Sequence, residues 1–114
     1  TDRLLNALWA WPKAARDFDS PRPVTLPKPA EIELESVHLP RDAFFGPVEQ
    51  VPAAQACGRI AAEQITPYPP GIPAVVPGER LNDAVIDYLR TGLTAGMMCP
   101  DPADPSLDTF RVVA

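Results

Sequence analysis

Apolar positions along the chain fall into two helical stripes separated by short runs. In residues 2–11, Leu4, Leu5, Leu8 and Trp11 share one helical face. Asp2 is positioned as the N-cap, and Pro12 with the pair Ser20-Pro21 limits how far the helix can run. Two tryptophans on so short a helix need a partner surface, either this domain's own core or another part of the protein. Residues 20–30 form a Pro-rich connector of polyproline II character. Residues 31–37 alternate, with Ile32 and Leu34 on one side and Glu31, Glu33 and Glu35 on the other. That period predicts a half-exposed strand whose glutamates form a solvated face.

Shorter elements follow. Residues 40–45 read as a short helix with Pro40 in its first turn. Val48 to Val51 suits a strand, and residues 52–56 one helical turn ended by Gly58. Residues 59–65 fit either strand or helix, with strand preferred, and 66–71 a rigid loop. The apolar run 73–76 lies between prolines and suits an edge strand. The second stripe, Leu81, Val85, Leu89 and Leu93, marks the main helix. Asn82 or Asp83 can cap it, and Gly92 and Gly96 are stop signals. An acidic, Pro-rich loop covers residues 99–107, and 110–113 suit a final strand. The mixture lacks a βαβ repeat, so the expected class is α+β: short strands, one main amphipathic helix and Pro-rich ordered loops.

Composition sharpens this picture at a few points. Sixteen prolines among 114 residues exclude a chain that is mostly helix or mostly central strand. A net charge of −5 speaks against a nucleic-acid backbone as partner, and no apolar run is long enough for a membrane helix. The opening Thr1-Asp2-Arg3 is neither an initiator methionine nor a secretory signal, so a piece of a longer protein is expected. Cys57 and Cys99 lack metal or redox spacing; unpaired thiols in a cytoplasmic protein are the preferred reading, with a disulfide left open. With His38 the single histidine, neither a zinc cluster nor a Ser-His-Asp set is expected.

The most specific signal lies in residues 40–97: Pro-Arg-Asp-Ala-Phe-Phe at 40–45, Gly-Arg-Ile-Ala-Ala-Glu at 58–63, Pro-Tyr-Pro-Pro-Gly-Ile-Pro at 67–73, Pro-Gly-Glu at 77–79 and Val-Ile-Asp-Tyr-Leu at 85–89. In this order and spacing the series resembles the C-terminal domain of bacterial ornithine/lysine/arginine decarboxylases. Residues 1–39 then correspond to a connector from a catalytic part, and 40–114 to the C-terminal domain. Two positions depart from the family pattern: His38-Leu39 stand where a Ser or Thr cap is usual, and Cys57 where an aliphatic side chain is expected. The motif also has a physical logic of its own. Pro69, Pro70, Gly71, Pro73, Pro77 and Gly78 make a loop of low conformational entropy that fixes the directions of Tyr68 and Glu79. A rigid corner without ligand contact is the alternative reading.

The resemblance implies a pyridoxal phosphate enzyme of the aspartate-aminotransferase-like fold type, which decarboxylates a basic amino acid to an amine of polyamine metabolism. A lysine holds that cofactor as a Schiff base. Lys13 and Lys28 both lie outside the matching motifs, so that lysine is expected upstream and this chain alone is expected to bind no cofactor and to be inactive. The implied role is to pack on its own upstream catalytic domains, near a second subunit of a dimer or larger oligomer, and to help wall the active-site entrance. Glu79 is the candidate for receiving the substrate's distal cation, its alternative being a glutamate favoured by the dipole of the helix starting near Asn82. Tyr68 is a candidate for lining the entrance, and Arg59 is expected to pair with a carboxylate of the fold. Rival functions are a non-catalytic regulatory or assembly module and a different pyridoxal phosphate reaction.

Overall fold

A computed structural model of the chain describes residues 1–17, 20 and 22–114. Its elements are α1 (Asp2–Ala14), α2 (Pro29–Ile32), α3 (Pro40–Phe45), β1 (Val48–Pro52), α4 (Asp83–Thr94) and β2 (Thr109–Val113), with 3₁₀ turns at Ala15–Asp17 and Ala53–Gln55. β1 and β2 pair antiparallel, Val48 opposite Val113 and Pro52 opposite Thr109. Single bridges extend this pair on one side. Ala61 pairs with Val112, Ile60 with Arg80, Ile65 with Val75, and Glu79 with Ser36, all antiparallel. The segments therefore lie side by side in the order 48–52, 109–113, 59–65, 75–81 and 35–37. Only the first two form a continuous ladder. The domain is small α+β.

α4 covers this surface with the stripe expected of it. Leu81, Val85 and Leu89 are buried, with Ile86 beside them and Leu93 partly buried. They pack with Ile65, Val75, Leu107, Phe110 and Val112 in one cluster. Asn82 is the N-cap: its Oδ1 accepts from Val85 N at 2.8 Å, and its Nδ2 donates to Glu31 O at 2.9 Å. One side chain thus starts α4 and ties α2 to it. α4 ends after Thr94, and Gly96 adopts φ +104 just beyond. Gly92 is buried inside the helix, so it is not a stop.

Other expectations need correction. Residues 31–37 do not form a strand; Pro29–Ile32 is a helical turn, and only Ser36 bridges to a neighbour. Pro29 presets the helical φ, and Glu31 Oε2 accepts from Lys28 N at 2.8 Å, which holds the first turn. That local bond outweighs a two-residue alternation with little burial behind it. Residues 59–65 and 73–76 make isolated bridges rather than strands. α1 begins at an N-cap Thr1, not Asp2, and continues through Pro12 to Ala14. None of its residues is buried, so its tryptophans do not pack on this core. Pro21, in the expected boundary at Ser20-Pro21 and in the connector, falls outside the described residues. Cys57, where an aliphatic side chain is expected, is exposed, and the Asp83 carboxylate beside it raises its thiol pKa. Cys99 is buried and both thiols are free, so they form no disulfide. Among the described residues, no helix is long and apolar enough to cross a membrane.

Candidate functional site

The Pro-Gly-Glu segment forms a tight turn that begins at Val76. Glu79 N donates to Val76 O at 3.3 Å, Pro77 occupies the second position, and Gly78 the third with φ +95. A proline followed by a residue of positive φ is the signature of a type II turn. The Glu79 side chain closes the turn a second time, its Oε2 accepting from Val76 N at 3.0 Å. Among the described residues, Oε1 accepts no hydrogen bond. The carboxylate is half-buried and fixed through one oxygen. The alternative placement at the N-terminus of α4 does not hold: the first-turn acid there is Asp83, and Asn82 supplies the cap.

Both neighbouring segments hold this turn. Gly78 N donates to Ala61 O at 2.8 Å, and Ala61 N to Glu79 O at 2.8 Å. On the other side, Val37 N and His38 N both donate to Gly78 O, at 2.9 and 3.1 Å. The approach is so close that a Cβ on Gly78 would lie 2.2 Å from His38 O. Arg80 clamps the same edge: its Nε donates to Glu35 Oε2 and its Nη1 to Gly58 O, each at 2.9 Å. The sequence motif marked the turn. It gave no sign of the 35–38 edge that flanks it, because nothing local in those residues says which segment they will pair with.

Tyr68 occupies a different place. Residues 66–73 join the two bridged segments, and Tyr68 exchanges both backbone hydrogen bonds with Met98, beyond α4. Tyr68–Pro69 and Pro69–Pro70 are cis, and Gly71, at φ +84, lies beneath the Tyr68 ring. A Cβ there would meet Tyr68 Cε1 at 2.7 Å, so the absent side chain is what lets the ring lie down on the backbone. The ring remains about half exposed. Glu79 bonds through its backbone to Ala61 and bridges Ser36, whereas the backbone of Tyr68 bonds to Met98. Different segments therefore hold Tyr68 and Glu79. Pro69, Pro70 and Pro73 are exposed on the Tyr68 side, while on the Glu79 side Pro77 is partly buried and Gly78 buried.

Arg59 behaves as expected, pairing with Glu49 and donating to Val113 O at 2.9 Å. A residue not singled out in the sequence, Glu63, is 4% exposed, and its two oxygens accept from Ala103 N and Arg111 N at 2.8 Å each. It ties the acidic loop to β2. Its alternation of neighbours gave no hint, since Ala62 and Glu63 are both buried.

Residues 24–101 match the sequence profile of a family described as Orn/Lys/Arg decarboxylase, C-terminal domain. An arginine decarboxylase of Bacillus subtilis is 38% identical over 112 residues, which is 98% of this chain and 23% of that protein. A lysine decarboxylase of Pseudomonas aeruginosa is 52% identical over 52 residues, 43% of this chain and 7% of its own length. Among solved structures, lysine decarboxylase A from Pseudomonas aeruginosa superposes with a TM-score of 0.53 at 32% identity, over 71% of this chain and 13% of that one. The chain thus spans less than a quarter of these relatives. A turn that displays Glu79, a rigid Tyr-Pro-Pro-Gly loop and a match covering most of the bridged segments agree, and the chain belongs to the Orn/Lys/Arg decarboxylase family as its C-terminal domain.

Proposed function

We propose that this domain works as part of a longer pyridoxal phosphate-dependent decarboxylase of arginine, lysine or ornithine. In it, Glu79 receives the distal cation of the substrate and Tyr68 lines the entrance to the active site. The observation that carries this reading is the state of the Glu79 carboxylate. One oxygen is tethered to Val76 N, and the other accepts no hydrogen bond among the described residues. A carboxylate held in one direction with an acceptor to spare suits an ammonium or guanidinium group, because a charge-assisted hydrogen bond is stronger than a neutral one. The two supporting segments limit its motion, so little ordering entropy remains to be lost on binding.

The cofactor would not be held by this chain. Its lysines, Lys13 and Lys28, are exposed on α1 and before α2. Pyridoxal phosphate would supply the electron sink from the catalytic domains upstream, and this domain would contribute orientation and exclusion of water. A dimer or larger oligomer with a cytoplasmic location completes the reading.

Carbon dioxide release by the intact protein, offered arginine, lysine and ornithine with pyridoxal phosphate, tests it. Release from one names the substrate; release from none, with cofactor bound, refutes it. Glu79→Gln is expected to raise the KM for the basic substrate by about tenfold or more, through loss of about 1.5–3 kcal/mol, with cofactor affinity unchanged. An unchanged KM removes Glu79 from substrate recognition.

A further inference from the structure

α1 is the part of the chain that the domain leaves uncovered. Leu4, Leu5, Leu8 and Trp11 are 64%, 47%, 51% and 69% exposed, and they form one face. Ala7, Ala10, Ala14 and Ala15 join Trp11 in lining an apolar depression there. Asp2, Asn6 and Lys13, with Trp9 among them, lie on the opposite side of the helix. The face is therefore apolar, shallow and bordered by charge, as a helix docked on a larger body would be.

We propose that this face is a docking surface for the preceding part of the same polypeptide, an inference that rests on the longer protein proposed above. Three observations select that occupant. A helix of 13 residues is marginal in water by itself, and Pro12 removes one of its hydrogen bonds, so α1 needs a cover to persist. The likeness to the Bacillus subtilis enzyme extends over 98% of this chain, and thus through nearly all of α1. The domain profile, by contrast, begins only at residue 24. α1 is thus shared sequence lying ahead of the C-terminal domain proper, in a relative more than four times as long. A second copy of α1 fits less well. Two paired helices of this length, each about 20 Å long, bury less than the roughly 1,000 Å² expected of a specific interface.

Hydrogen exchange read by mass spectrometry, on the intact protein and on the 114-residue chain, tests the proposal. Amides of residues 3–14 are expected to exchange at least about 100-fold more slowly in the intact protein. Leu8→Asp in the intact protein is expected to reverse that protection by at least about tenfold while leaving the amides of α4 unchanged, which shows that the domain itself remains folded. Equal exchange of α1 in the two proteins overturns the proposal. So does protection of the 114-residue chain that grows with its concentration, which would name a second copy as the occupant. Protection of α1 in an intact protein that releases no carbon dioxide would refute the proposed reaction and leave the docking surface standing.

Discussion

Replacing Gly78 by alanine tests the support of the Glu79 turn most directly. Two costs add. At φ +95 an L-residue loses about 1–2 kcal/mol from clashes within its own backbone. The new Cβ would also meet His38 O at 2.2 Å and His38 C at 3.0 Å, both backbone atoms that cannot swing aside. Reaching ordinary contact, 3.4 Å or more, requires the 35–38 segment to retreat by about 1 Å. That stretches the bonds from Val37 N and His38 N to Gly78 O, each contributing about 0.5–1.5 kcal/mol. The sum is about 2–5 kcal/mol, a large share of the stability of a small domain. Gly58→Ala is the control, because Gly58 has φ +81 but nothing within 4 Å of its Cβ. It should cost the dihedral share alone, about 1–2 kcal/mol. Urea unfolding, with m checked to be constant, reads both variants. The difference between them measures the collision with residues 35–38. A Gly78→Ala variant no less stable than Gly58→Ala would refute the claim that this edge packs against the turn.

Three further outcomes follow from other contacts. Glu63→Ala leaves Ala103 N and Arg111 N without their buried acceptor and is expected to lose about 2–4 kcal/mol in urea unfolding, with the 101–108 loop becoming susceptible to proteolysis; a loss under 1 kcal/mol would remove Glu63 as the clamp. Asn82→Ala should cost about 1–2 kcal/mol, because α4 loses its cap and α2 its tie to Asn82 Nδ2; it should also speed exchange of the first amides of α4. Asp104 accepts from the hydroxyls of Ser106 and Thr109 and from both their backbone N–H groups, which hold its carboxyl at about 2 instead of the ordinary 3.8. Since the folded pKa is the lower, its contribution is complete above about pH 4 and lost as pH falls toward 2; NMR titration should place the Asp104 midpoint near 2, and Asp104→Ala should flatten stability across that window.

Elements carried by local rules were legible in the sequence. The stripe from Leu81 to Leu93 specified α4 because four apolar residues at helical spacing have one way to face a core. Pro40 started α3, Gly58 and Gly96 ended their turns, and Pro77-Gly78 fixed a turn that few other dipeptides could make. The motif at 67–79 therefore announced both its rigidity and its family. Residues 31–37 show one local rule overriding another: Pro29 and the bond from Lys28 N to the Glu31 carboxylate prevailed over alternation.

Tertiary structure decided the rest, because it depends on which distant segments meet. Residues 59–65 became the middle of an antiparallel array only through partners at 75–81 and 109–113. Pairing energy of that kind leaves no periodic trace in either segment. Glu63 became a clamp because the loop at 101–108 folds back onto it, and Glu79 acquired its fixed direction from an edge some forty residues earlier. Tyr68 and Glu79, neighbours in one motif, were given different partners, Met98 for the one and Ala61 and Ser36 for the other. The first stripe shows the division most clearly. Sequence alone made α1 amphipathic, since spacing sets which residues share a face. Whether that face is buried depends on the surfaces within reach, and this domain offers it none.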